Sequence, residues 1–171
     1  GKHAPFFAAQ DFGFYKKVGL DVKYVRGFGS GDTIKKIAAR VAPIGFADAA
    51  SLVTRADLVA YAAASGDHNP IHQDEAVATA VGLPGVIAHG MYTMALAARA
   101  VADWFPEHEV VSLGCKFTAP VVVPAEGGVE VLVEGQEKPG EDGTTTVPLT
   151  VTCDGAKVLG VPKAVLRPAG D

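Results

Sequence analysis

The spacing of apolar positions divides the chain into a mixed opening, a helical middle and a β-rich end. Residues 4–14 carry apolar side chains at helical intervals, and Tyr15-Lys-Lys-Val-Gly19 looks like a helix end with glycine as its left-handed cap. Residues 20–25 alternate apolar and polar with period two, the pattern of a strand. Gly27-Phe-Gly-Ser-Gly31 is a turn, after which Asp32 or Thr33 can cap a helix through Ile34, Ile37, Ala38 and Val41 that Pro43 stops. Residues 44–47 fit a short second strand, so the opening reads as helix, strand, helix, strand.

From Thr54 the pattern changes. Thr54 caps a helix running to Ala64, Asp57 stands where a capping box places its acid, and Ser65-Gly66 ends the run. Residues 67–72 form a polar loop, 73–81 a short helix closed by Gly82, and 91–105 a long helix with almost no polar face before Arg99. A helix apolar all round is expected to be buried, which makes this one the centre of the domain. After Pro106 four runs rich in Val and Thr follow, at 110–117, 129–137, 144–153 and 157–166, with hairpin turns at Glu141-Asp-Gly143 and Asp154-Gly155. Helices first and antiparallel strands afterwards predict an α+β domain, a sheet wrapped around one buried helix, preceded by a short α/β segment.

Composition narrows the classes. The 171 residues are 49 % hydrophobic and 20 % charged, enough apolar surface for a core and too much for a disordered tail. No run of eighteen apolar residues and no secretory-signal pattern is present, so no membrane partner is expected. Cys115 and Cys153 are too few for a disulfide framework and lack zinc-site spacing, and a reducing cytoplasm suits them best. The net charge of −4 hides an uneven split: residues 1–53 hold eight Lys or Arg against four Asp and no Glu, while the remainder is acidic. Two stretches of different character are joined near residues 53–57. The basic residues of the first stretch are scattered among apolar ones, so nucleic acid is not an expected partner. The glycine turn lacks a Walker lysine and GxGxxG spacing, and reads as a turn.

Chemistry-bearing residues concentrate in Ser65-Gly-Asp-His-Asn-Pro-Ile-His72 and in Ala88-His-Gly-Met91. Asp67 and His72, separated by a turn-forming Asn-Pro, can converge on one water as base and acid. The Gly90 N–H, at the positive end of the long helix, can donate to an oxyanion. Taken as isolated residues, the plainer reading prevails: Asp67 is a helix-terminal or turn carboxylate and His72 a surface side chain. His68 is expected in solvent, and His89 in a local hydrogen bond beside the helix start. Asp67, His72 and His89 have the composition of a metal site but no HExxH or i, i+4 ligand pair, so no metal is expected. Ser65 lacks the G-x-S-x-G elbow of a nucleophile.

Two resemblances bear on these readings. Ala4-Pro-Phe-Phe-Ala-Ala-Gln-Asp-Phe-Gly-Phe-Tyr, Gly29-Ser-Gly-Asp-Thr33 and Ala42-Pro-Ile-Gly-Phe-Ala-Asp-Ala-Ala50 resemble the opening of the first lobe of periplasmic substrate-binding proteins of the nitrate, sulfonate and taurine type. The likeness covers residues 1–53, about half of one lobe; a binding cleft needs two, so ligand binding is not implied. Tyr61-Ala-Ala-Ala-Ser-Gly-Asp-His-Asn-Pro-Ile-His-Gln-Asp-Glu-Ala76, together with Gly82-Leu-Pro-Gly-Val-Ile-Ala-His-Gly-Met-Tyr-Thr-Met94, resembles the (R)-specific enoyl-CoA hydratase motif of the MaoC-like dehydratases. That likeness runs from about Thr54 to Leu166, and implies a hot-dog fold over 54–171 and the hydration of trans-2-enoyl thioesters of CoA or acyl-carrier protein, or the reverse dehydration, without cofactor. By resemblance Asp67 and His72 activate the water, Gly90 polarises the thioester carbonyl, Ser65 and Asn69 support the loop and substrate binding, and a homodimer is expected. The family's usual first strand is missing: either residues 46–53 replace it, or the opening fragment covers a bare sheet edge. The join suggests an engineered or recombined chimera, and a non-catalytic scaffold that keeps the motif is the alternative function.

Overall fold

The computed structural model describes residues 46–140 and 143–170. The elements expected over 4–45, the glycine turn at 27–31 and residues 141 and 142 of the expected hairpin lie outside them. Chain order is β1 (Phe46–Val53), α1 (Arg55–Ser65), a 3-10 turn (Pro70–His72), α2 (Glu75–Ala80), α3 (Gly90–Trp104), β2 (His108–Phe117), β3 (Val129–Gln136), β4 (Lys138–Pro139), β5 (Thr145–Cys153), β6 (Ala156–Lys157) and β7 (Leu159–Pro168).

Local chemistry sets the helix ends. In α1 the Thr54 N–H donates to Asp57 Oδ2 at 2.8 Å and the Asp57 N–H to Thr54 Oγ1 at 3.4 Å, the reciprocal capping box. Bonding to Thr54 holds the Asp57 carboxyl below its ordinary range. Gly66 closes the helix at φ 77°, a left-handed geometry that a side chain would strain. The second helix is shorter than its pattern, because Asp74 caps it through Ala76 N–H and Val77 N–H instead of joining it.

The sheet runs in the order β1-β3-β5-β7-β2, antiparallel throughout, with the two-residue strands β4 and β6 added to β5. β5 pairs its first half with β7 (Thr145↔Leu166 to Pro148↔Lys163) and its second half with β3 (Leu149↔Gly135 to Cys153↔Val131). Pro148, which has no N–H to give, sits at that handover. The change of partner half-way along one strand bends the sheet into a trough. Asp154 and Gly155, both at positive φ (49° and 78°), make the tight turn that the Asp-Gly pair predicts.

The long helix lies in the trough, packed on β1, β2, β3 and β7. Thr93, Ala97, Ala100, Val101 and Trp104 face the sheet, where Val53, Val131, Val133, Val147, Val151 and Leu166 form the core. Gly135 is glycine for a packing reason: a Cβ there would lie 2.6 Å from Cζ3 of the buried Trp104 ring. The expectation that α3 is buried all round needs correction, since Met91, Ala95, Arg99 and Ala102 are exposed. Alanine suits either environment, so an Ala-rich helix does not announce its wet face.

Of the two arrangements open for residues 46–53, the first is found. β1 pairs with β3 over its whole length, Phe46↔Gln136 to Val53↔Val129, burying Val53 and turning Leu52 outward. Residues 46 and 47 of the short strand expected at 44–47 open this longer strand, which runs up to the boundary that charge and pattern place near residues 53–57.

Candidate active site

The loop between α1 and α2 is shaped by its own short polar side chains. Ser65 Oγ accepts the Asp67 N–H (3.2 Å), Asp67 Oδ1 accepts the Asn69 N–H (3.2 Å), and Asn69 Oδ1 accepts the Ile71 N–H (3.3 Å). This succession turns the chain tightly enough to bring Pro70 into a 3-10 turn that delivers His72 to the interior. Ser65, Asp67 and Asn69 remain exposed, and the oxygens of Ser65 and Asn69 are engaged with backbone. His68 is exposed, as expected.

His72 is buried, so the reading of a surface histidine fails. Its Nδ1 lies 2.7 Å from the Ile87 carbonyl oxygen. A carbonyl only accepts, so Nδ1 donates in this bond, and in the neutral tautomer that leaves the lone pair on Nε2 as the basic site. The Ile87 carbonyl is itself fixed, because Ile87 N–H donates to Ile71 O while Ala88 N–H and Val123 N–H tie residues 86–88 to 121–123. Arg55 adds a brace, donating from Nε to the Val123 carbonyl at 2.6 Å and from Nη2 to Glu75. The guanidinium holds the Glu75 carboxyl below its usual range.

His89, the residue before α3, is only 1 % exposed. Instead of bonding locally, its Nε2 donates 3.0 Å to the Asp67 carbonyl, 22 residues back. Its ring stacks on His72 with centroids 3.8 Å apart and planes at 28°, and the Tyr61 ring tilts against it at 4.9 Å. Burial pushes its pKa down, so it is neutral near pH 7. One ligand-capable atom each from Asp67, His72 and His89 lies within 4.8 Å of the others. The loop thus joins the carboxylate and both imidazoles, which sequence spacing alone leaves apart.

Gly90 opens α3, so helix geometry gives its N–H no acceptor within the helix. Together with His72, Thr93, Phe117, Pro120 and Leu159 it lines a cavity of about 340 Å³. The Phe117 ring lies against Gly90: a Cβ on that residue would meet the ring at 3.0–3.3 Å. Phe117 is 56 % exposed, an apolar side chain at the cavity mouth. Ser65 and Asn69 do not line the cavity. Each ring donates through one nitrogen to a backbone carbonyl and keeps the other free, so the three groups lie close enough to share one water or one ion.

Residues 43–153 match the family described as MaoC like domain. The chain belongs to the MaoC-like family. Residues 1–63 match a second family, NMT1/THI5 like, so two family signatures overlap at the start of the sheet. Over 79 residues, 46 % of this chain, the sequence is 42 % identical to "3-hydroxyacyl-thioester dehydratase X" of Mycobacterium tuberculosis, of whose length it spans 28 %. It is 30 % identical over 117 residues to the 3-hydroxybutyryl-CoA dehydratase of Methylorubrum extorquens, covering 65 % of this chain and 74 % of that protein. The structure of an (R)-hydratase from A. caviae involved in PHA biosynthesis superposes with a TM-score of 0.65 at 26 % identity, covering 72 % of this chain and 94 % of that one. The α+β hot-dog architecture of this MaoC-like chain is the one expected from its motif.

Proposed function

We propose that this MaoC-like chain adds water to trans-2-enoyl thioesters, giving (3R)-hydroxyacyl thioesters, and catalyses the reverse dehydration. The observation that carries the reading is the meeting of Asp67 and His72 beside a cavity that His72 and Gly90 line. Asp67 and unprotonated His72 Nε2 hold a water between them, one of them taking its proton as the oxygen bonds to C3. Electron density moves through C2 to the thioester oxygen, where the Gly90 N–H and the α3 dipole favour the developing charge. A proton returned to C2 completes the addition. Ser65 and Asn69 act through the loop, holding Asp67 at its angle.

The reading places the functional boundary ahead of β1, with residues 46–53 serving as an edge strand of the hydratase domain. Free Cys115 and Cys153 suit a reducing, cytoplasmic setting; among the described residues, no helix is long and apolar enough to cross a membrane. Two copies pair into a dimer: β2 is a ten-residue edge strand with Val110 and Val111 exposed, and an antiparallel two-fold pairing would satisfy that edge. Light scattering on the full chain tests this, a monomer at micromolar concentration refuting it.

The test of function is loss of crotonyl-CoA absorbance with the full chain, alongside Asp67→Asn and His72→Gln, with the product's configuration determined. Turnover to the (3R) product that both substitutions abolish supports the reading. Folded protein without turnover on short- or long-chain enoyl-CoA defeats it and leaves the chimeric scaffold.

A further inference from the structure

His89 makes two contacts that together call for a flat ring with an N–H on its edge. Its ring presents a flat face to His72 at 3.8 Å, and the edge of the same ring donates from Nε2 to the Asp67 carbonyl at 3.0 Å. Asparagine or glutamine would supply the donor without the face, phenylalanine the face without the donor. We propose that His89 is a positioning residue for the hydration reaction, a neutral imidazole that fixes the Asp67 backbone and the His72 ring relative to each other.

Three further observations support this assignment, which rests on the function proposed above. Donation to a carbonyl fixes the proton on Nε2, leaving Nδ1 unprotonated; that Nδ1 is buried and has no partner among the described residues. An orphaned buried nitrogen is costly, and such costs are retained where a group serves something besides stability. The backbone of His89 is also fixed, since its carbonyl accepts the Thr93 N–H in the first turn of α3, directly beside Gly90. The side chain therefore links the helix terminus that polarises the carbonyl to the loop that carries the acid and base. Asp67 is exposed and held otherwise by turn contacts within its own loop, so the His89 bond is its long-range anchor.

His89→Phe keeps the stack and loses the donor; His89→Gln keeps a donor and loses the stack. Displacement of reacting groups by about 1 Å costs about a hundredfold in rate. In each variant kcat for crotonyl-CoA hydration is expected to fall by about tenfold to a hundredfold, with KM changed less than about threefold. The His72 ring-proton resonances lose their ring-current shift in His89→Gln, where the stacked neighbour is gone, and keep an upfield ring-current shift in His89→Phe. Amide exchange at Asp67 and Asn69 quickens in His89→Phe. A kcat within twofold of wild type in both variants overturns the assignment, as does a loss that disappears after correction for the folded fraction. If the wild-type protein turns over no enoyl thioester, the functional reading fails separately. The resonances and exchange rates then decide whether His89 holds the loop, and unchanged values in both variants overturn it.

Discussion

Gly90→Ala separates a folding role from a catalytic one. The added methyl would meet the Phe117 ring at 3.0, 3.1 and 3.3 Å, so the ring has to give by a few tenths of an ångström. Phe117 is half exposed at the end of β2 and can yield, which keeps the folding cost below about 1 kcal/mol, beneath the range for overpacking a closed core. The cost to activity is different in kind. Removing an oxyanion donor outright slows turnover about 10²–10³-fold. Alanine keeps the N–H but narrows the approach to it and presses Phe117 over the cavity, so kcat/KM is expected to fall about tenfold to a hundredfold, roughly 1.4–2.8 kcal/mol in the barrier. Crotonyl-CoA absorbance gives the rate and calorimetry the melting temperature. The double variant Gly90→Ala, Phe117→Leu should recover part of the loss, because a smaller apolar side chain relieves the crowding. Activity within twofold of wild type in Gly90→Ala would refute the reasoning that a methyl here closes the approach to the N–H.

The remaining expectations concern stability. Gly135→Ala puts a methyl 2.6 Å from the buried Trp104 ring and should cost about 1–3 kcal/mol, a loss of several degrees in melting temperature; an unchanged Tm would mean that the helix and sheet are not packed this closely. Thr54→Ala removes the acceptor and donor that Thr54 Oγ1 provides in the capping box and should cost about 1 kcal/mol, read from urea unfolding. His89 has a depressed folded-state pKa, so the unfolded chain takes up a proton below pH 6.5 that the folded chain resists. Its contribution to stability is therefore complete above pH 6.5 and is lost as pH falls from there toward the folded value. Wild-type Tm should drop more steeply than that of His89→Gln between pH 7.5 and 5.5, and parallel curves would contradict the burial of a neutral ring. Asp57, with its pKa lowered by the capping box, adds a separate loss only in acid below its ordinary value of 3.8.

The order of elements, the capping of α1, the left-handed cap at Gly66 and the Asp-Gly turn are local events, and local sequence determines them because each depends on residues within a few positions of one another. The loop chemistry is equally local: Ser65, Asp67 and Asn69 fold their own backbone, so the motif that names the family also shapes its turn. What tertiary structure alone decided lies between residues far apart in the chain. The partner exchange of β5 at Pro148, the wet face of α3 and the fit of Trp104 over Gly135 depend on surfaces that no local pattern describes. The same holds for the site. Burial of His72 requires the Ile87 carbonyl, and His89 looks like a helix-start residue until folding carries it to Asp67 and stacks it on His72. The residues 46–53, read from charge as the end of a foreign segment, became a sheet edge because β3 offered eight unpaired backbone positions and the chain had alternating Ala49, Ser51 and Val53 to set against them.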